Sequence, residues 1–323
     1  MADRVIGLGR SDFSLGKEKM MKYFDESACA TPEQLRAYVE ACDNDLEDRM
    51  ESIAADIADD EKIHLLGLTG PTCAGKTTAA RKLTSYLSAH GHRVHVISID
   101  DFFHDQIFAK DDAVIDENKK LDYDSEKTID MELLSEKCED LLAGRPTDLP
   151  RFDFQTGLRV NGNRIEPQAG DVFLFEGIQI LYPAVNEILQ SSHYRSIYIC
   201  PHTSLQVGDT VFTPNRLRLM RRLVRDYRYR ATDPDFTFYL WESVRENEEK
   251  NIFPYAHLCN DRIDSTMPYE VGMLKPYLCD VLQQIPPDSS FFEKAQRILR
   301  DVEHVPPVPA EYMTKHSLYK EFI

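Results

Sequence analysis

Gly70-Pro71-Thr72-Cys73-Ala74-Gly75-Lys76-Thr77 fits the pattern G-x-x-x-x-G-K-[ST]. The chemistry accounts for the spacing. Two glycines let a loop wrap so that backbone N–H groups turn inward toward phosphate oxygens, and the helix that follows presents its positive end. Lys76 is then placed to reach the outer phosphates, and Thr77 to offer a hydroxyl to Mg²⁺. The apolar run Ile63–Leu68 ahead of the loop reads as a strand and the stretch 77–89 as a helix, the context this pattern requires. Residues Gly70, Pro71, Thr72, Cys73, Ala74, Gly75, Lys76, Thr77 and Thr78 are therefore the expected nucleotide-phosphate cradle. Such a loop specifies a nucleotide and leaves the reaction open. The nearest guanine-reading string, Asn118-Lys119-Lys120-Leu121, has leucine where aspartate is needed and follows no strand, which argues against a GTPase.

Two acidic positions follow further strand-like runs. Asp100-Asp101-Phe102-Phe103 comes after Val94–Ile99, and Glu176-Gly177 after Val172–Phe175. Open α/β sheets place ligands at such strand ends. A carboxylate there can take a proton from an attacking hydroxyl or hold a metal's water shell; the plainer alternative is a turn or cap residue. A third feature is Arg216–Arg230, with seven arginines in 15 residues of an otherwise acidic chain. At helical spacing Arg218, Arg221, Arg222 and Arg225 share a face, with Leu219, Leu223 and Met220 packing beneath. An RNA-binding helix and a solvated salt-bridge face are the alternatives to a lid, about 214–235, that brings guanidinium groups to a transferring phosphoryl group. The lid is the expectation.

These groups need a scaffold. Four apolar runs (63–68, 94–99, 172–175 and 197–199), with a fifth strand around Ile263, alternate with helical stretches near 77–89, 129–143, 214–230 and 237–250. That alternation predicts an α/β protein with a mainly parallel central sheet in three layers, over residues 61–270. An acidic N-terminal extension, 1–60, holds 15 acidic and 7 basic side chains, so nearly half of the chain's net −17 lies there. Thr31-Pro32-Glu33-Gln34 reads as a helix start, followed by the stripe Leu35, Val39, Cys42, Leu46, Met50, Ile53 and Ile57. Packing on the main unit and a homo-oligomer seam through the 31–58 helix are both open. Residues 271–323 form a helical, proline-interrupted extension. The charge balance opposes general nucleic-acid binding, and no apolar run reaches membrane-spanning length. Seven cysteines without a CxxC pair read as the usage of a reducing, cytoplasmic compartment, and His257-x-Cys259 fits no common zinc spacing.

Taken with Ser98–Phe103, Tyr123-Asp124, Ile129–Leu134, Pro150–Phe154, Phe175–Ile178 and Arg218–Asp226, the sequence resembles the uridine kinase/phosphoribulokinase family of P-loop kinases over roughly residues 62–270. The resemblance implies a P-loop NTPase fold, ATP and Mg²⁺ as cofactors and a small-molecule acceptor. Asp100 is similar to the family's general base, and Glu176 to the acidic residue that organises Mg²⁺ with Thr77. Asp124 matches a ribose-contacting aspartate of nucleoside kinases. Phe103, Tyr123 and Phe152 resemble residues lining the acceptor base pocket, and Arg159 a basic residue closing it. Arg218, Arg221 and Arg225 resemble lid arginines facing the phosphates, with Arg230 the later one. The chain departs from the pattern at Gly157, in the stretch where uridine–cytidine kinases carry a pyrimidine-reading histidine, and at Ala231-Thr232. The implied activity is phosphorylation of a nucleoside 5′-hydroxyl; a non-nucleoside acceptor and a non-catalytic nucleotide-binding regulator are the alternatives.

Overall fold

The chain is described by a computed structural model over residues 21–105, 125–154, 156–190 and 193–323. Strand β1 (Met21–Tyr23) precedes helix α1 (Pro32–Ala58); Thr31 caps α1 by accepting the Gln34 N–H, with Pro32 in the first turn. Next come β2 (Leu65–Thr69), α2 (Lys76–Ala89), β3 (Val94–Ser98) and α3 (Met131–Leu142). A hairpin of β4 (Thr147–Asp153) and β5 (Leu158–Ile165) leads to β6 (Val172–Glu176), α4 (Pro183–Leu189) and β7 (Tyr194–Cys200). The remainder is β8 (Ser204–Val207), β9 (Thr210–Phe212), α5 (Pro214–Arg230), α6 (Pro234–Asn251), β10 (Asp261–Asp264), α7 (Glu270–Leu282) and α8 (Phe292–Glu303).

The central sheet has the order β10-β7-β2-β6-β3, and every neighbouring pair is parallel. Strand β2 is buried along its whole length, as a strand covered on both faces must be. Its residues alternate between two apolar layers. Leu66 and Leu68 join Leu174, Ile197 and Ile199 under α1, α2, α5, α7 and α8, whereas Leu65 joins Phe173, Phe175 and Tyr198 under α3 and α4. This is the three-layer α/β architecture that the alternating pattern predicts. A small second sheet pairs β1 parallel to β8 and β8 antiparallel to β9.

The two extensions are built into the first apolar layer. Leu35, Val39, Leu46, Met50 and Ile57 of the α1 stripe are buried, in one cluster with Ala79, Leu83 and Leu87 of α2. Five of the seven stripe residues are therefore buried within the chain, with Cys42 and Ile53 partly buried, which favours intrachain packing for this face. Asp43, buried on the same helix, accepts hydrogen bonds from the Tyr269 hydroxyl and from the N–H and hydroxyl of Thr314, at 3.0 and 2.8 Å for the latter two. The N-terminal helix and C-terminal tail are thus tied to each other and to the sheet. No helix among the described residues is long and apolar enough to cross a membrane.

Candidate functional site

Three adjacent strands, β2, β6 and β3, end at the same edge of the sheet, and the groups singled out from the sequence follow them. The loop after β2 carries the phosphate pattern. Gly70 sits at φ +154°, with the Ile199 carbonyl where a side chain would project, and Gly75 at φ +99° ends the loop as the residue before α2. Both need glycine's freedom and its missing Cβ. Cys73 holds a left-handed φ of 57° without being glycine, and its side chain is buried. The Lys76 ammonium folds back over the loop, donating to the Gly70 and Pro71 carbonyls at 2.8 and 3.1 Å. One loop amide points elsewhere: the Thr72 N–H donates to the buried Glu248 carboxylate at 3.3 Å.

The loop opens on a cavity of about 460 Å³ lined by Thr72–Thr77, Asp100, Phe103, Phe154, Glu176–Gln179, Arg225, Arg230 and Glu321. Asp100 arrives on the 3₁₀ turn Ile99–Phe102 directly after β3, and Glu176 is the last residue of β6. The Gln179 amide donates to Asp100 Oδ1 at 2.7 Å, which leaves Oδ2 clear of that bond. Burial pushes the Asp100 carboxyl above the ordinary aspartate range, against the Gln179 hydrogen bond and the Lys76 charge. Burial also raises Glu176, opposed by Lys76, and lowers the Lys76 ammonium, opposed by Glu176, Glu321 and Asp100. Three carboxylates, Asp100, Glu176 and Glu321, thus share the cavity with the Lys76 ammonium, and burial disfavours the charged forms of Asp100, Glu176 and Lys76.

Phe103, Phe152 and Phe154 form an edge-to-face trio with centroids 5.1–6.3 Å apart. Phe103 and Phe154 line the cavity; Phe152 is buried behind them, its N–H donated to Asp101 at 3.0 Å. Arg159 is not among the cavity-lining residues. Its guanidinium donates to Asp130 at 2.8 Å, so it braces the start of α3, where Asp130 also accepts the Leu133 N–H. Tyr123 and Asp124 lie outside the described residues. Thr77 is exposed at the cavity, and Thr78 is buried beside it.

The arginine helix corrects the sequence reading. Arg218 and Arg221 are 0% exposed, and their guanidinium groups do not face the cavity. Arg218 makes a two-pronged pair with Glu248 at 2.5 Å on both prongs and donates to the Thr72 carbonyl at 3.3 Å. Arg221 pairs with Glu270 at 2.9 and 3.1 Å and donates to the Cys73 carbonyl at 3.2 Å. A lone buried guanidinium is costly; buried carboxylates from α6 and α7 make these two tolerable and fix them as struts behind the loop. Arg225 and Arg230 do reach the cavity wall, and both are held by Asp226, Arg225 at 2.7 Å and Arg230 at 3.7 Å. The helix is neither a solvated charge face nor a uniform row of phosphate-facing cations. Phe154 lies in the Pro150–Phe154 motif but was given no site role, whereas Glu248, Glu270, Gln179 and Glu321 were invisible to motif reasoning, since single residues from distant segments leave no local signature.

A family profile described as Phosphoribulokinase / Uridine kinase family matches residues 65–266, from β2 to just beyond β10. The chain belongs to that family. It is thus a member of a P-loop kinase family, and residues 70–77, which carry the P-loop pattern, lie within the matched stretch. "Uridine-cytidine kinase C" of Dictyostelium discoideum is 34% identical over 166 residues, covering 46% of this chain and 34% of that protein. This chain therefore spans only 34% of that relative's length. "Uridine kinase" of Lactobacillus helveticus is 28% identical over 175 residues, covering 54% of this chain and 73% of that protein. A solved structure from Silicibacter sp. TM1040, described as that of a fructose transport system kinase, is similar at 18% identity and a TM-score of 0.44, covering 66% of this chain and 98% of the other.

Proposed function

We propose that this family member transfers the terminal phosphoryl group of ATP to a hydroxyl of a small molecule, with the 5′-hydroxyl of a nucleoside as the acceptor. The observation that carries the reading is that Asp100, held by Gln179 at 2.7 Å, faces the same cavity as Lys76 and the phosphate loop. In this mechanism the acceptor oxygen attacks in line with the leaving oxygen while its proton passes to Asp100. The loop amides and Lys76 hold the donor phosphates, and Arg225 and Arg230 offset charge on the transferring group. Among the described residues no cluster of three or more His, Cys, Asp or Glu side chains is placed to hold a metal. Mg²⁺ does not need one: it keeps water and substrate phosphates as ligands and takes one or two protein oxygens, for which the Thr77 hydroxyl and the Glu176 carboxylate qualify. When bound, it neutralises charge on the phosphate oxygens.

The acceptor side favours a nucleoside over a sugar phosphate. Its wall is aromatic, from Phe103 and Phe154, and suits a flat ring. The cations among the described lining residues are Lys76, Arg225 and Arg230, and Arg159 is engaged by Asp130, so an acceptor phosphate would find no second cationic subsite there. Gly157 offers no side chain to read a pyrimidine, which leaves base selection to other groups. All seven cysteines stand unpaired, which supports a reducing, cytoplasmic setting. The test is an ATP-consumption screen against nucleosides, pantothenate, glycerate and pentose phosphates. Turnover with nucleosides supports the reading; turnover with only the others moves the acceptor class, and turnover with none returns the chain to a nucleotide-binding regulator.

A further inference from the structure

The segment Ser317–Ile323 lies outside the family match, yet one of its residues, Glu321, lines the phosphate cavity. Three apolar side chains anchor it. Leu318 packs where Gly75 lacks a side chain, its Cδ1 2.5 Å from the position of an ideal Cβ. Tyr319 and Phe322 are fully buried, their ring centroids 4.9 and 5.5 Å from the Arg221 guanidinium carbon. The short 3₁₀ turn Leu318–Glu321, capped by Ser317, then delivers Glu321 into the cavity. There Glu321 Oε2 accepts a hydrogen bond from the Thr78 hydroxyl at 3.2 Å, in the first turn of α2. Arg81, one turn along, also reaches that hydroxyl at 3.5 Å.

An anion is what this place attracts. The N-terminus of α2, Lys76, Arg225 and Arg230 all favour negative charge, and the Thr78 hydroxyl is a donor aimed at an oxygen. Asp100 and Glu176 come from the strand ends and have work in the proposed transfer. Glu321 has none, and it holds a hydrogen-bond donor of the loop–helix junction that a phosphate oxygen could use.

We propose that Glu321 is an affinity-determining residue of the nucleotide site: its carboxylate stands in for a phosphate group at the Thr78 hydroxyl and gives up that position when a nucleotide binds. The inference rests on the reading of residues 70–78 as a phosphate cradle, not on the identity of the acceptor. Because the anchoring side chains are buried independently of Glu321, the segment stays docked when the charge is removed.

The test is calorimetric titration of the full chain, E321Q and E321A with inorganic pyrophosphate and with ADP, each with and without Mg²⁺, alongside a thermal melt of each protein. Glu321→Gln keeps an acceptor for Thr78 and removes only the charge. The expected result is pyrophosphate binding about tenfold tighter in both variants with an unchanged melting temperature; binding by the variants alone is the same result in stronger form. Unchanged affinity in both overturns the proposal. Weaker binding confined to the Mg²⁺ titrations also overturns it, in favour of a metal-holding carboxylate. Absence of binding in all three proteins overturns the phosphate-cradle reading together with this one, whereas failure of the nucleoside screen leaves it standing.

Discussion

The proposed transfer turns on Asp100, and two measurements bear on it. Asparagine there preserves size and the contact with Gln179 but cannot accept the proton. We expect Asp100→Asn to retain nucleotide affinity, by titration, and to lose turnover by about 100-fold or more, the scale of general-base removal (about 10²–10⁴). Undiminished kcat in that variant would remove Asp100 from the mechanism. The second measurement is the pH profile. Burial raises the Asp100 carboxyl, against Gln179 and Lys76, and a base works only when ionised. The rate should therefore rise with pH through that elevated value, placing the acid limb of kcat/KM above the ordinary aspartate value of about 3.9. Glu176 is displaced the same way and lies close by, so the limb belongs to the pair. An acid limb at or below 3.9 would contradict a buried, ionisable base. The sequence made Asp100 and Glu176 legible because strand ends of a parallel sheet converge. Gln179 was not legible, since its partner is 79 positions away.

At the scale of elements, strongly patterned segments could be read and weakly patterned ones could not. The buried strands of the central sheet stand out as apolar runs, and α1, α2 and α5 through their caps or periodicity. The β4–β5 hairpin could not be read so: β4 contains Pro150 and β5 reads Leu-Arg-Val-Asn-Gly-Asn-Arg-Ile, mostly polar, as suits a two-stranded ribbon exposed on one face. Strand β1 has three residues, and its pairing with β8 spans most of the chain. Helix α5 shows the other kind of limit. Its arginine spacing is plain in the sequence, but whether a guanidinium faces solvent, phosphate or a buried carboxylate depends on α6 and α7. The strut assignment makes its own forecast. Arg221→Met leaves Glu270 buried with its main partner gone and should lower unfolding free energy by about 3–5 kcal/mol in denaturant melts, whereas the double variant with Glu270→Leu should recover most of that loss. Arg225→Met, on the cavity wall, should instead reduce turnover with a smaller stability change. Equal stability of Arg221→Met and the parent would return Arg221 to a phosphate-facing role.

For the whole molecule, the segments beyond the family match are joined to the loop at residues 70–77 through a short chain of contacts. Asp43 on α1 binds Thr314 and Tyr269; Tyr269 packs against Tyr319 with ring centroids 5.8 Å apart; Tyr319 lies under Arg221, and Arg221 holds the Cys73 carbonyl in the phosphate loop. None of this is written in composition or periodicity, because it joins positions up to 271 residues apart through single side chains. It has a consequence that separates it from an oligomer seam on α1. Asp43→Ala leaves the buried Tyr269 hydroxyl with only the Ser317 hydroxyl, at 3.3 Å, and releases both Thr314 bonds, so it should cost about 2–5 kcal/mol, given about 1.5–3 kcal/mol for each hydrogen bond to a charged acceptor and incomplete additivity. The loss acts within one chain, so the denaturation midpoint should fall by the same amount at every protein concentration, with no change in sedimentation behaviour. Loosening the tail should also disturb the loop that Leu318 and Arg221 support, so pyrophosphate affinity in Asp43→Ala should move while the Asp100-dependent step, measured at saturating substrate, holds. A midpoint that depends on protein concentration in the parent but not in the variant would assign α1 to an interface between copies and break the chain of contacts at its first link.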